Sequence, residues 1–354
     1  MEQQLTKRHR IEWIDAAKFF AILAVMTDHS YKTLYTDRRI AFLSYFSVSL
    51  FILLMGLTCS LSYQSDPVNI AKKVRKQCKG LLIPYIAATF ICTAAERHFF
   101  DFSVFWEHLI RFNAAAPFYY VILYLQLLLV TPLIYRWFSL TDKKKPAILM
   151  ETAGLLPVLL ICFLTTNYSN ILNIYGGGGK LLGGNYLLLL YLGMWFGKYY
   201  HSLSPKPAVK WAGFVLSLAA AAGWGLFLCR DQFRLDSHLP FGAGMNPPGI
   251  SLCTHAALIF AAFYFLGEIL KDHGTGFPAR VFRVMSLFGR HTLYIFLYHK
   301  LIQQQVRLFS KSTGIRIHNL GLRAVFYFAL MIGLSLLLEI LMKKLFSFVK
   351  RSYR

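Results

Sequence analysis

The sequence predicts an all-α fold, a polytopic membrane bundle of about ten transmembrane helices, and two observations carry that expectation. First, 56% of the 354 residues are hydrophobic, 16% are aromatic and the mean hydropathy is +0.48, far too apolar for an ordinary aqueous surface. Second, windows of roughly 20 apolar residues, the length that crosses about 30 Å of hydrocarbon, fit ten times. They lie at residues 14–33, 41–63, 80–97, 118–138, 147–166, 185–200, 209–229, 249–270, 284–306 and 322–348.

The first window follows Lys7, Arg8 and Arg10, and no small-residue cleavage site comes after His29, so it reads as an uncleaved helix and not a signal peptide. Lys18 and His29 stand eleven residues apart, which is nearly three turns, or about 16 Å, along one stripe. Asp15, Ile22 and Val25 share that stripe, while Asp28 points to the side. After the second window, "NIAKKVRKQCKGLLIPY" repeats Ile70, Val74, Cys78 and Leu81 at helical spacing, with Lys72, Lys73, Arg75, Lys76 and Lys79 on or beside the opposite face. This is the pattern of an interfacial helix leading into the third window. Its plain reading is an anchor on anionic lipid; its sharper one is a dock for a phosphate-rich ligand.

Between the fifth and sixth windows, "NIYGGGGKLLGGN" lacks Ser or Thr after Lys180 and has no strand before it, so it reads as a flexible outer loop and not a phosphate loop. The sixth window is short, and the eighth carries a lone His255 that reads as an interior residue. The ninth, "FGRHTLYIFLYHK", is interrupted by Arg290 and brings His291 and His299, which lie about 80° apart on a helix and are not expected to share a ligand. Every connection is too short for a soluble domain, so residues 1–354 read as one membrane domain, without internal repeats. Cys59, Cys78, Cys92, Cys162, Cys229 and Cys253 are scattered without metal-binding spacing and read as small core residues.

The net charge of +22, from 38 Lys+Arg against 16 Asp+Glu, is a matter of topology before anything else. With the N-terminus inside, 23 of the basic residues fall in inner connections and 13 in outer ones, with Lys18 and Arg290 within windows. That bias predicts an integral protein of the cytoplasmic membrane with both termini cytoplasmic, and it leaves no charge that calls for nucleic acid. No HExxH, no clustered carboxylates and no Cys/His pairs are present, so no metal is predicted. No GxSxG elbow appears either. Glu96, Glu151, Glu268 and Glu339 lie near window ends, where solvation is expected. Lys18 and His29 are different, because an ionisable group at mid-bilayer costs about 2.5–3.5 kcal/mol and usually marks a functional path. The bland alternative is that Lys18 snorkels, paired with Asp15, while His29 is a polar cap at the outer interface.

Several stretches together resemble the integral membrane acyltransferase family 3, whose members include polysaccharide O-acetyltransferases. "RIEWIDAAKFFAILAVMTDHS" is similar to that family's opening helix, "YFSVSLFILLMGLTCSLSY" to its second span, and "KQCKGLLIPY" to the basic, proline-ended entry of its third. "PFYYVILYLQLLLVTPLI" resembles its aromatic fourth, and "FGRHTLYIFLYHK" its late Gly/Tyr/His helix. The matches run in order over most of the chain. Lys18 replaces the family's usual arginine, Lys76 and Lys79 stand in for paired arginines before the proline, Tyr119 occupies a common Trp position and Phe296 a common Tyr position.

The resemblance implies transfer of an acyl group, commonly acetyl from acetyl-CoA, to a hydroxyl of an envelope carbohydrate or its lipid-linked precursor. Lys72, Lys73, Arg75, Lys76 and Lys79 are then the expected partners of the donor's phosphates. An imidazole, titrating near pH 6.5, is the natural base for a weakly nucleophilic hydroxyl. His29 is the expected base, with Lys18 orienting the donor and His299 assisting or binding the acceptor. Two rival expectations remain: a transporter or exporter of a glycan intermediate or acylated small molecule, whose route these residues line, and an assembly partner for which they are dispensable.

Overall fold

Inside a bilayer a helix pairs its backbone amides within one segment, and apolar runs without alternation favour it. The computed structural model describes residues 10–97, 101–141, 146–168, 181–242, 244–272, 274–313 and 317–352, and these are helical, with no strand among them. The order is α1 (Glu12–His29), α2 (Arg38–Phe42), α3 (Ser47–Ser65), α4 (Ile70–Arg97), α5 (Phe102–Arg111), α6 (Tyr119–Thr141), α7 (Ala147–Ala153) and α8 (Leu155–Asn167). After a short 3-10 turn come α9 (Tyr186–Tyr199), α10 (Pro207–Asp231), α11 (Arg234–Ser237), α12 (Ile250–Asp272), α13 (Phe277–Gly289), α14 (Thr292–Thr313) and α15 (Leu320–Ser352).

Among the described residues, seven segments are long and apolar enough to cross a membrane: Arg38–Ser65, Ile70–Glu96, Ala116–Thr141, Ala147–Asn167, Pro207–Asp231, Ile250–Asp272 and Leu320–Leu345. The expected ten is therefore not established. Of the other three candidates, α1 carries Glu12, Asp15, Lys18 and Asp28, α9 has only 14 residues, and the ninth window is broken in two. Leu156, Leu160 and Leu164 of α8 and Leu337, Ile340 and Leu341 of α15 are exposed, as expected of faces solvated by lipid tails. The chain is an integral membrane bundle.

At its centre lie α1 and α3. Trp13, Ala16, Ala17, Ala21, Ile22 and Met26 of α1 are buried against α3, α12, α13 and α14. Small residues set the closest approaches, as in other membrane helix pairs. A Cβ on Gly193 of α9 would sit 2.2 Å from the Leu53 carbonyl oxygen of α3, so no larger residue fits that crossing.

Three expectations are corrected. The basic stretch after α3 is not a separate interfacial helix: it is the first turns of α4, continuous with the span that follows, and Val74 and Leu81 bury its apolar stripe within the bundle. The ninth window is two helices, because Arg290 and His291 take i→i−3 bonds to Leu287 and Phe288 in place of the α-helical ladder. Glu151, Glu268 and Glu339 are buried, not solvated. Glu151 accepts from Thr141 (2.9 Å), Trp195 (2.8 Å), Tyr199 (2.8 Å) and Lys198, tying α6, α7 and α9 together. Glu268 pairs with Lys271, and Glu339 with His291 (2.8 Å) and Lys343. Of the expected outer loop, residues 173–180 lie outside the described residues. Its end is folded, since buried Asn185 donates to the Phe241 and Pro248 carbonyls at 2.9 and 2.8 Å.

Candidate active site

The α1 stripe read from the sequence faces the protein interior. At one end Asp15, 2% exposed, lies under Gly289 of α13, whose absent Cβ would stand 1.8 Å from the Asp15 carbonyl oxygen. That contact sets the α13–α14 break against the Asp15 backbone. Lys18 Nζ donates to Asp15 Oδ1 at 3.3 Å, Arg10 Nε pairs with Oδ2 at 2.7 Å, and Arg290 Nε stands 4.0 Å from the same oxygen. Three cations share one carboxylate, so the cluster keeps a surplus of positive charge. The Lys18–Asp15 pair is formed, with the Lys18 side chain partly exposed.

A cavity of about 270 Å³ adjoins the cluster, and Arg10, Lys18, Arg290, Gln77, Tyr120 and Phe296 line it. Gly80 of α4 lines it too, with no atom within 4 Å of where a Cβ would be. Pro84 follows four residues later and has no N–H, so the Gly80 carbonyl loses its helical donor there. Gln77 Oε1 is buried without a hydrogen-bond partner among the described residues. The cavity thus offers cations, a glutamine and an aromatic wall.

At the other end of α1 the two histidines meet. The His29 and His299 ring centroids are 5.3 Å apart. Their helices are locked there, because Lys300 Nζ and Gln303 Nε2 donate to the His29 carbonyl at 3.2 and 3.0 Å, a cation at the negative end of a helix. His299 is fully buried, and its Nδ1 lies 3.1 and 2.8 Å from the Ile295 and Phe296 carbonyls. A carbonyl only accepts, so Nδ1 carries a hydrogen, and in the neutral form of such a ring the lone pair is on Nε2. That Nε2 is buried and has no hydrogen-bond partner among the described residues. An imidazole whose tautomer is set and whose basic nitrogen is unengaged is equipped to take a proton or a hydrogen bond.

Between the two ends stands an aromatic wall. Phe296 lines the cavity, its ring 6.2 Å from His299 and 5.0 Å from Tyr120, and neither histidine is among the residues lining the cavity. The structure therefore unites His29 with His299, and Lys18 with the cavity, but keeps the two groups a wall apart.

The five basic residues of α4 divide. Helical phase places Lys73 on the stripe of Gln77 and Gly80, and Lys76 at its edge, while Lys72, Arg75 and Lys79 turn away. Lys73 reaches back to α3, donating to the carbonyls of Asp66 (2.9 Å) and Ser62 and pairing with Asp66 at 3.8 Å. Arg75 faces an apolar groove between α4 and α6, beside Arg136. Sequence reasoning gave no site role to Arg10, Arg290, Gln77, Lys300 or Gln303. Arg290 was visible as a charge inside a window and Lys300 as the neighbour of His299. Gln77 was findable from the phase of α4, but no local signal marks Arg10. Among the described residues no group of three or more His, Cys, Asp or Glu could hold a metal ion.

A family model described as an acyltransferase domain, that of acyltransferase family 3, matches residues 11–340. No curated protein and no solved structure matches the chain.

Proposed function

The chain belongs to acyltransferase family 3, a membrane acyltransferase, and from that premise we propose that it moves an acyl group, acetyl in the simplest case, from acyl-CoA to a hydroxyl of an envelope polysaccharide or its lipid-linked precursor. The Lys18 end of α1 faces the cytoplasm in this reading, following the excess of basic residues in the connections on that side. One observation carries the proposal: a cluster of three cations, Arg10, Lys18 and Arg290, gathers beside a cavity at one end of α1, and at its other end His29 meets His299 of α14.

The phosphates of the donor bind at Arg10, Lys18 and Arg290, with Lys76 and the exposed basic residues Lys72, Arg75 and Lys79 of α4 drawing them to the mouth. The thioester arm passes Phe296 and Tyr120 to reach the histidines. There the acceptor oxygen attacks the thioester carbonyl carbon, a C–O bond forms and the C–S bond breaks. His29 takes the hydroxyl proton and returns it to the departing sulfur, and His299, whose ring lies 5.3 Å from that of His29, binds a second hydroxyl of the acceptor through Nε2, which has no partner among the described residues.

The test is to supply purified protein in lipid nanodiscs with labelled acetyl-CoA and an envelope glycan fraction. Wild type should transfer label, and His29→Ala, at matched folding, should lose about 10²–10⁴ in rate. Equal transfer by both removes His29 from the proposed role. No transfer by either, with glycan export impaired in the variant, favours a transporter.

A further inference from the structure

A second cavity, of about 880 Å³, lies at the His29 end of the bundle, between the turn after α1, the second half of α14 and the start of α15. Lys32, Arg307, Lys311 and Arg323 line it together with His318, and no carboxylate is among its lining residues. None of these four cations has an ion-pair partner among the described residues. Four like charges around one space repel each other unless an anion joins them.

The site is built. Arg323 Nη2 donates to the Leu34 carbonyl at 3.0 Å, which anchors the guanidinium, while its Nε is buried with no partner among the described residues. Lys32 is held in the left-handed region at φ +62°, strained for a side-chain-bearing residue, by a turn in which its N–H donates to the Tyr35 carbonyl at 2.7 Å. Tyr35, whose phenol burial pushes up and keeps protonated, donates to the Thr27 carbonyl at 2.8 Å and closes that turn.

Apolar side chains line the same cavity, among them Phe309, Phe326 and Leu330. The apolar span of α15 begins at Leu320, and its Leu322, Val325 and Phe326 are exposed, so the cavity adjoins the lipid-facing surface. Cations beside the start of a span, with apolar side chains next to them, match an amphiphile that carries its phosphate near the membrane surface and its chain in the hydrocarbon. Arg307 lies eight residues beyond His299 on the same helix, about 12 Å along it. A headgroup bound there puts the first sugar attached to it within reach of the histidine pair.

We infer that this cavity binds the phosphate of a long-chain lipid that carries the acceptor sugar, so the acceptor is taken as a phosphorylated lipid intermediate and not as a finished neutral polymer. The inference rests on the acyl-transfer reading for the use made of the site, but not for its existence. The probe is a long-chain isoprenyl diphosphate, its binding to the full chain in neutral nanodiscs followed by native mass spectrometry. Competitors are the matching isoprenol, inorganic diphosphate and phosphatidylglycerol. Wild type should bind the probe, and none of the three should displace it at equal concentration. The exposed pair Arg307→Gln/Lys311→Gln should weaken binding by about tenfold or more, the effect of losing charge-assisted contacts, whereas Arg307→Lys/Lys311→Arg should retain it.

Equal binding by the glutamine pair overturns the proposal, as does equal displacement by isoprenol, diphosphate or phosphatidylglycerol. Acyl transfer is read separately, with labelled acetyl-CoA. Loss of probe binding in the glutamine pair, alongside a wild type that transfers no label, supports the site and sinks the acyl-transfer reading. Unchanged probe binding alongside active transfer does the reverse.

Discussion

Gly289→Ala gives the sharpest test of how the cation cluster is held. The new Cβ would stand 1.8 Å from the Asp15 carbonyl oxygen, 2.5 Å from its carbon and 3.0 Å from its Cα, all backbone atoms that no rotamer change can move. To reach ordinary van der Waals contact, α13 and α1 must part by about 1.6 Å. Overpacking of this kind costs about 1–3 kcal/mol. The same shift carries Arg290, now 4.0 Å from Asp15, out of reach of the carboxylate. A displacement of about 1 Å in a positioning group can cost 10²-fold in rate, so acyl transfer should fall by about that factor. The assay is transfer of label from acetyl-CoA in nanodiscs, with the thermal midpoint measured in parallel. Gly193→Ala is the control, because it overpacks α3 against α9 at 2.2 Å without touching the cavity. It should lower the midpoint comparably and leave the specific activity of the folded fraction near wild type. If Gly289→Ala keeps both wild-type activity and wild-type stability, the close packing of α13 on Asp15 is not what sets the site.

Lys18→Ala should raise the KM for the donor by about tenfold, the loss of one charge-assisted contact, while Lys18→Arg should hold it near wild type; equal loss in both would argue against a charge role. Glu151→Gln leaves the Lys198 ammonium inside the bundle without its carboxylate and should destabilise by about 3–5 kcal/mol, read as a lowered thermal midpoint. Most of that loss should return in Glu151→Gln/Lys198→Met, and no change in either variant would show the pair to be incidental. Phe296→Leu thins the wall between cavity and histidines, so release of free CoA without acceptor should rise relative to transfer. An unchanged ratio would mean that the donor does not pass Phe296.

Much was legible in the sequence because the bilayer imposes it. Long apolar runs and the eleven-residue spacing of Lys18 and His29 are local or compositional facts, and helical geometry alone turns that spacing into a shared stripe. Local period also placed Val74 and Leu81 on one face of α4. What hydropathy could not reveal was which polar groups find partners. Glu151 looked solvated because it lies near the end of an apolar run, yet residues 44–48 positions away on α9 bury and satisfy it. His299 looked secondary until the fold set it 5.3 Å from His29, 270 positions earlier in the chain. Arg10, Arg290 and Lys18 became one cluster only when Gly289 brought α13 onto the Asp15 backbone. A bilayer's demand for apolar length and internally paired amides acts on each segment separately, so sequence determines it. The meeting of charged groups depends on which helices cross and how closely, and only the packed bundle decides that.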